Sequence, residues 1–156
     1  ECSSVNQEAA ILVLDPGIYI LDGAGLNISG NTNFTALGVM FYVVGSGAVD
    51  LTGTGNIRVT PPDPSQYSFP GADTYEGVSI FQARDNTNDS RIIGTSLLDL
   101  EGALYFPKNH LTVGGTGDGF GNQLVANTIE VQGTGDITIR YDGRFPAPGN
   151  RVFLVR

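Results

Sequence analysis

Apolar and polar residues alternate with a period of two along almost the whole chain. Ile18-Tyr19-Ile20-Leu21, Leu26-Asn27-Ile28, Val39 to Val44, Val49-Asp50-Leu51 and Ile57-Arg58-Val59 each read as a short strand. So do Val78 to Phe81, Leu104-Tyr105-Phe106, Leu111-Thr112-Val113, Ile129-Glu130-Val131, Ile137-Thr138-Ile139 and Val152 to Val155. Gly, Asn, Asp or Pro brackets nearly every segment, as strand ends require. No stretch has a convincing 3.6-residue period. Asn86 to Leu100 is the least patterned region, and Gly94 with its Ser/Thr neighbours argues against a helix there.

The strands repeat. Val49-Asp-Leu-Thr-Gly53-Thr-Gly55-Asn-Ile57 returns as Ile129-Glu-Val-Gln-Gly133-Thr-Gly135-Asp-Ile137, with Leu111 to Gly117 and Leu26 to Gly30 as looser copies. A second motif starts at Gly38, Gly77, Gly102 and Asn122, at intervals of 39, 25 and 20 residues. A repeat of about 20–25 residues made of short strands cannot bury its inner face alone, so neighbouring copies stack. The pattern predicts an all-β, right-handed parallel β-helix, or β-solenoid, of about five coils. Residues 1–14 form an N-terminal extended segment and 15–156 the β-helix. The wide interval is an insertion, a lateral loop at about 61–75, where Pro61, Pro62 and Pro64 cannot continue a central strand. The inward positions expected are Ile28, Leu51, Ile80, Leu104, Val113, Val131 and Ile137.

Pro16 to Ile20, Gly38 to Tyr42, Gly77 to Arg84, Gly102 to Pro107, Gln123 to Ile129 and Val152 to Arg156 follow one another in an order that resembles a known family. That family is the C-terminal β-helical region of TadG-like proteins of bacterial tight-adherence (Flp-type) pilus assembly. The resemblance covers about residues 15–156. It implies a structural protein of the surface or envelope rather than a catalyst. Full-length members usually carry an N-terminal membrane helix, which this sequence lacks.

Composition narrows the function classes. The chain has 156 residues, 22 of them Gly, with one Cys, one Met, one His, no Trp and a net charge of −8. One Cys forms no internal disulfide and no cysteine zinc site. Eight basic residues in an acidic chain make a poor nucleic-acid binder. No stretch is long and apolar enough for a membrane span or a secretory signal. The low Lys and Cys content fits an extracellular or cell-surface location.

Carboxylates are the first candidates for chemistry, because β-helices also house polysaccharide lyases and hydrolases. Asp50, Glu130 and Asp136 fall one per coil, and Asp99 and Glu101 flank Leu100. Single spacing suits a solvated outer face better than a catalytic pair, and no enzyme activity, cofactor or metal is expected. Asp85 to Asp89 has the composition of a calcium loop, but Ser90 and Ser96 stand where an EF-hand needs Gly and Glu. It reads as an Asx-rich turn. Gly114 to Gly119 misplaces the acid of a calcium-binding nonapeptide. The lone His110 is expected to cap the turn after Pro107-Lys108-Asn109, and its solitude is read as excluding triads and zinc triplets. Tyr67, Phe69 and Tyr75 are the aromatic platform that a glycan ligand would need. Asn27, Asn33 and Asn88 lie in glycosylation sequons. Cys2, outside the repeats, reads as a flexible terminal residue, with an intermolecular bridge as the alternative.

The function expected is that of a structural extracellular or envelope protein that assembles head to tail into a filament or surface appendage. The alternative is a β-helix that binds or cleaves polysaccharide. Solenoid ends normally carry a cap, and none is seen here. The candidate assembly interface is therefore Ile11, Leu12, Val13 and Leu14 at one end and Val152, Phe153, Leu154 and Val155 at the other.

Overall fold

A computed structural model describes residues 10–94, 98–115, 123–133 and 139. Among these residues there is no helix. The chain winds into a β-solenoid of about five turns, and every paired strand is parallel to its neighbours.

Each turn sends one strand to each of three faces. The first face carries β1 (Ile11–Leu14), β4 (Asn33–Ala36), β7 (Ile57–Val59) and β10 (Leu98–Leu100). The second carries β2 (Gly17–Asp22), β5 (Val39–Val44) and β8 (Val78–Gln82), followed by the first half of β11 (Ala103–Gly115) and of β12 (Gln123–Gln132). The third carries β3 (Leu26–Gly30), β6 (Val49–Gly53) and β9 (Ser90–Gly94), followed by the second halves of β11 and β12. The expected N-terminal extended segment thus contributes β1, which pairs with β4.

The alternation of the strands builds the core. Side chains two residues apart point to the same side, and parallel register stacks each on its counterpart about 4.8 Å away in the next turn. On the third face Ile28, Leu51, Ile92 and Val113 form one buried column. On the second face Phe41, Ile80 and Leu104 form another. On the first face Phe34, Ile57 and Leu98 line up in the same way. The expected inward residues Ile28, Leu51, Ile80, Leu104 and Val113 are all buried there.

Val131 faces inward without being buried. It pairs in register with Val113 and so occupies the inner column, yet it is 63% exposed. Its strand is the last described one, and a column residue is buried only when a further turn covers it. Ile137 lies outside the described residues.

Two further differences concern the corners. Leu104 to Phe106 and Leu111 to Val113, expected as separate strands, belong to the single strand β11, which runs through Pro107, Lys108 and Asn109 from one face to the next. Between β8 and β11 the register shifts at Ser79, so that Val78 pairs with Ala103 and Ile80 with Leu104. Buried Ser79 donates its hydroxyl to the Glu101 carbonyl, which holds this bulge.

Glycine is required where turns of the solenoid approach one another. Gly55, the second glycine of the Gly-Thr-Gly motif, stands against the Thr32 carbonyl of the preceding turn, where a Cβ would collide with backbone. Gly38 has φ of 69°, and a Cβ there would come within 2.5 Å of the Tyr67 ring.

The lateral loop leaves after Thr60 and returns at Gly77, whose N–H donates to the Pro62 carbonyl at 3.1 Å. It lies against the outer side of the second face. A Cβ on Gly71 would come within 2.7 Å of Ile18 Cδ1, and Met40, the register partner of Ile18, is buried although it lies outside the core cluster.

Candidate functional site

Four features outside the apolar core carry polar or exposed chemistry. The first is the pair of outermost strands among the described residues, β1 and β12. On β1, Ile11 and Val13 are exposed, and Leu12 is 43% exposed although its register partner Phe34 is buried. On β12, Val125, Ile129 and Val131 are exposed. Of the interface expected from sequence, Ile11 to Leu14 thus sit together on an edge strand, with Leu14 half-buried against the core. Val152, Phe153, Leu154 and Val155 lie outside the described residues, as do Cys2 and Asp136.

The second feature is an aromatic ladder on the outer side of the second face. Tyr42, Phe81 and Tyr105 are consecutive register partners. Tyr42 and Phe81 meet edge to face with centroids 5.4 Å apart, and Phe81 stacks on Tyr105 at 4.7 Å. The Arg84 guanidinium lies 5.9 Å from the Tyr105 centroid. This ladder is a second aromatic array beside the loop aromatics Tyr67, Phe69 and Tyr75. It is a poor sugar platform all the same. A pyranose stacks on an open ring face, and here the Phe81–Tyr105 faces cover each other, with Arg84 beyond Tyr105. The rings stabilise the stack, each contact by about 0.5–1.5 kcal/mol beyond burial.

The third feature is a groove of about 340 Å³ between the lateral loop and the first face. Arg58 and Thr60 come from β7 and the residue after it, Asp63, Gln66 and Tyr67 from the loop, and Glu101 from the residue after β10. Arg58 Nε lies 3.3 Å from Asp99 Oδ2 in a half-exposed ion pair. Such pairs contribute little to stability, so this one chiefly orients the guanidinium. Asp63 accepts from the Ser65 hydroxyl at 2.6 Å, the Ser65 N–H at 2.9 Å and Gln66 Nε2 at 2.7 Å. These bonds, the Ser65 hydroxyl first, hold its carboxyl below the ordinary range. The Thr60 hydroxyl oxygen accepts the Gly38 N–H at 2.9 Å.

The fourth feature is polar and sits at the corner between the second and third faces. Buried Asn86 donates Nδ2 to the Gly47 carbonyl at 2.7 Å, and its Oδ1 accepts the Asn88 N–H at 2.9 Å. Gln82 donates to the Gly47 and Asn88 carbonyls, Ser90 donates to Gln82 Oε1 at 3.0 Å, and Asn109 donates to the Asn88 carbonyl. The Asp85–Asp89 segment is therefore an Asx turn whose Asn86 faces inward. Among the described residues no three His, Cys, Asp or Glu side chains converge on a metal position.

His110 corrects an expectation. It lies in β11 rather than at a turn end. Its Nδ1 is 2.8 Å from Thr128 Oγ1 and its Nε2 is 3.2 Å from Glu130 Oε2, while Gln132 Nε2 donates to Glu130 Oε1 at 2.9 Å. One histidine therefore suffices for a hydroxyl–imidazole–carboxylate line, contrary to the expectation from the residue count. All three groups stand on the open outer side of the third face. There the line ties β11 to β12, and the donated bond from Gln132, then His110, lowers the Glu130 pKa. The remaining acids are scattered. Asp50 stands opposite Arg91 in the register, Asp99 pairs with Arg58 and Glu101 lines the groove.

No helix among the described residues is long and apolar enough to cross a membrane. The chain matches no family model, and neither a curated protein nor a solved structure matches it.

Proposed function

We propose that the chain is a structural β-solenoid of an extracellular or cell-surface protein that associates head to tail into a filament or appendage. The observation that carries this reading is the edge strand β1, which shares the parallel register of the interior yet leaves Ile11, Leu12 and Val13 in water. A flat apolar edge is a template for a further strand. The opposite end offers Ile129 and Val131 in the same inner columns as Leu111 and Val113. Joining unlike ends is a heterologous contact that does not close, so it extends. The resemblance to the β-helical region of tight-adherence pilus-assembly proteins supports the surface location and the non-catalytic role.

Sedimentation velocity and negative-stain imaging of the whole chain over a concentration series test the proposal. Elongated particles should grow with concentration, and Leu12→Asp combined with Val131→Asp should leave monomers with an unchanged β circular dichroism spectrum. A wild-type chain that stays monomeric at high concentration overturns it.

A further inference from the structure

We propose that the groove between the lateral loop and the first face binds a neutral oligosaccharide. The loop is the one large break in the repeat, and an insertion projecting from one face of a solenoid is commonly its binding face. The groove, at about 340 Å³, falls within the usual range of ligand pockets, about 300–1,000 Å³. Its polar groups come from separate elements: Arg58 and Thr60 on one wall, Gln66 on the other, Glu101 beside them. Together they offer both donors and acceptors, as a ligand rich in hydroxyls requires. Tyr67 adds an aromatic ring whose position is set by packing on Gly38, so little ordering remains to be done on binding.

Charge selects among sugars. Two carboxylates, Asp63 and Glu101, and one guanidinium, Arg58, line the groove, and the chain carries −8 overall. A uronate or sulfated chain meets repulsion here. A neutral pyranose does not, and Tyr67 lines the groove where its C–H groups would pack. On the aromatic ladder Phe81 and Tyr105 cover one another's faces.

The test is saturation-transfer NMR and calorimetry of the whole chain with cellotetraose, mannotetraose, maltotetraose, xylotetraose and chitotetraose, and with tetragalacturonate as the anionic probe. At least one neutral tetramer should bind, and tetragalacturonate should bind about tenfold more weakly or not at all. Tyr67→Ala should weaken binding by about tenfold, and Gln66→Ala should weaken it in a chain whose loop is otherwise intact. Tyr105→Ala, on the ladder, should leave affinity unchanged. Failure of all neutral tetramers, equal binding of the anionic one, or binding that survives both groove variants overturns the proposal. None of these outcomes depends on whether the chain self-associates.

Discussion

Truncating Leu51 to alanine tests the reading of the core as stacked columns with open ends. Leu51 is fully buried in β6, between Ile28 on one side and Ile92 on the other. Removing three side-chain carbons forfeits about 2.4 kcal/mol of transfer free energy, at ~0.8 kcal/mol per buried methylene. The strands on both sides are held by parallel ladders, so the site collapses only in part. A residual cavity of about 40–50 Å³ adds ~1 kcal/mol. The expected loss is therefore about 3.5 kcal/mol, inside the range of about 2–5 known for buried Leu→Ala changes. Val131→Ala, at the uncovered end of the same column, removes two carbons that are mostly in water and should cost about 0.6 kcal/mol with no cavity. In urea melts of dilute protein followed by circular dichroism, a slope of ~2 kcal/mol/M puts the two midpoint shifts near 1.7 M and 0.3 M. Equal shifts for the two variants would refute the assignment of Val131 to an open column end. A shift below about 0.5 M for Leu51→Ala would refute the column itself.

Gly38→Ala should destabilise by about 1–3 kcal/mol, because an L-residue resists the positive φ and its Cβ displaces Tyr67; faster proteolytic cleavage in the lateral loop is the matching readout. Asn86→Ala should cost about 1–3 kcal/mol in a thermal or urea melt, since it strips the Gly47 carbonyl and the Asn88 N–H of their buried partner. Asn86→Asp should be worse, as it keeps the acceptor but buries a charge. Glu130 should titrate below the ordinary glutamate value in carbon-detected NMR, with Gln132→Ala and His110→Ala each raising its midpoint. Because the folded pKa is the lower one, the tie to β12 is strongest above the ordinary glutamate range and is lost as pH falls through the folded value. A Glu130 midpoint at or above the ordinary glutamate value would contradict the bonding described.

The solenoid was legible because its signal is redundant. Every turn repeats the same alternation, so Ile28, Leu51, Ile80, Leu104 and Val113 could each be placed by reference to the others. What escaped were departures from strict repetition. Aligning the motifs at Gly77 and Gly102 sets Phe81 opposite Phe106, whereas the bulge at Ser79 brings Phe81 onto Tyr105 and turns Phe106 into the core. A one-residue shift exchanges inner and outer faces, and nothing in the pattern of apolar residues announces it. The ladder of Tyr42, Phe81 and Tyr105 was hidden for that reason. The His110 line was missed for another. Thr128 and Glu130 are 18 and 20 residues away in sequence, and only the register of β12 brings them beside the imidazole. The groove needed knowledge of where the lateral loop lies, and a Pro-rich insertion reveals that it leaves the stack but not its direction.

The polar corners explain how such an apolar ribbon keeps one register. On β1 both the inward Leu12 and the outward Ile11 and Val13 are apolar, and on β2 Tyr19 and Leu21 alternate with Ile18 and Ile20. Hydrophobicity alone would let these strands slip by one residue with little loss. Further along the stack the turns supply what the apolar pattern lacks. Asn33 Oδ1 accepts the Asn56 N–H at 3.0 Å, the Thr54 hydroxyl meets Asn31 Oδ1, and Asn86 and Asn109 bond to backbone carbonyls of neighbouring corners. Each bond joins one turn to another at a fixed offset. A slip would leave the buried amides of Asn86 and Asn109 without partners, at about 1–3 kcal/mol apiece, and would break the exposed bonds of Asn31 and Asn33 as well. Register therefore resides in the corner amides and hydroxyls, while the strands supply the area. An incoming strand at the β1 edge would meet the same arrangement: an apolar surface tolerant of register, with specificity left to whatever polar groups stand at its corners.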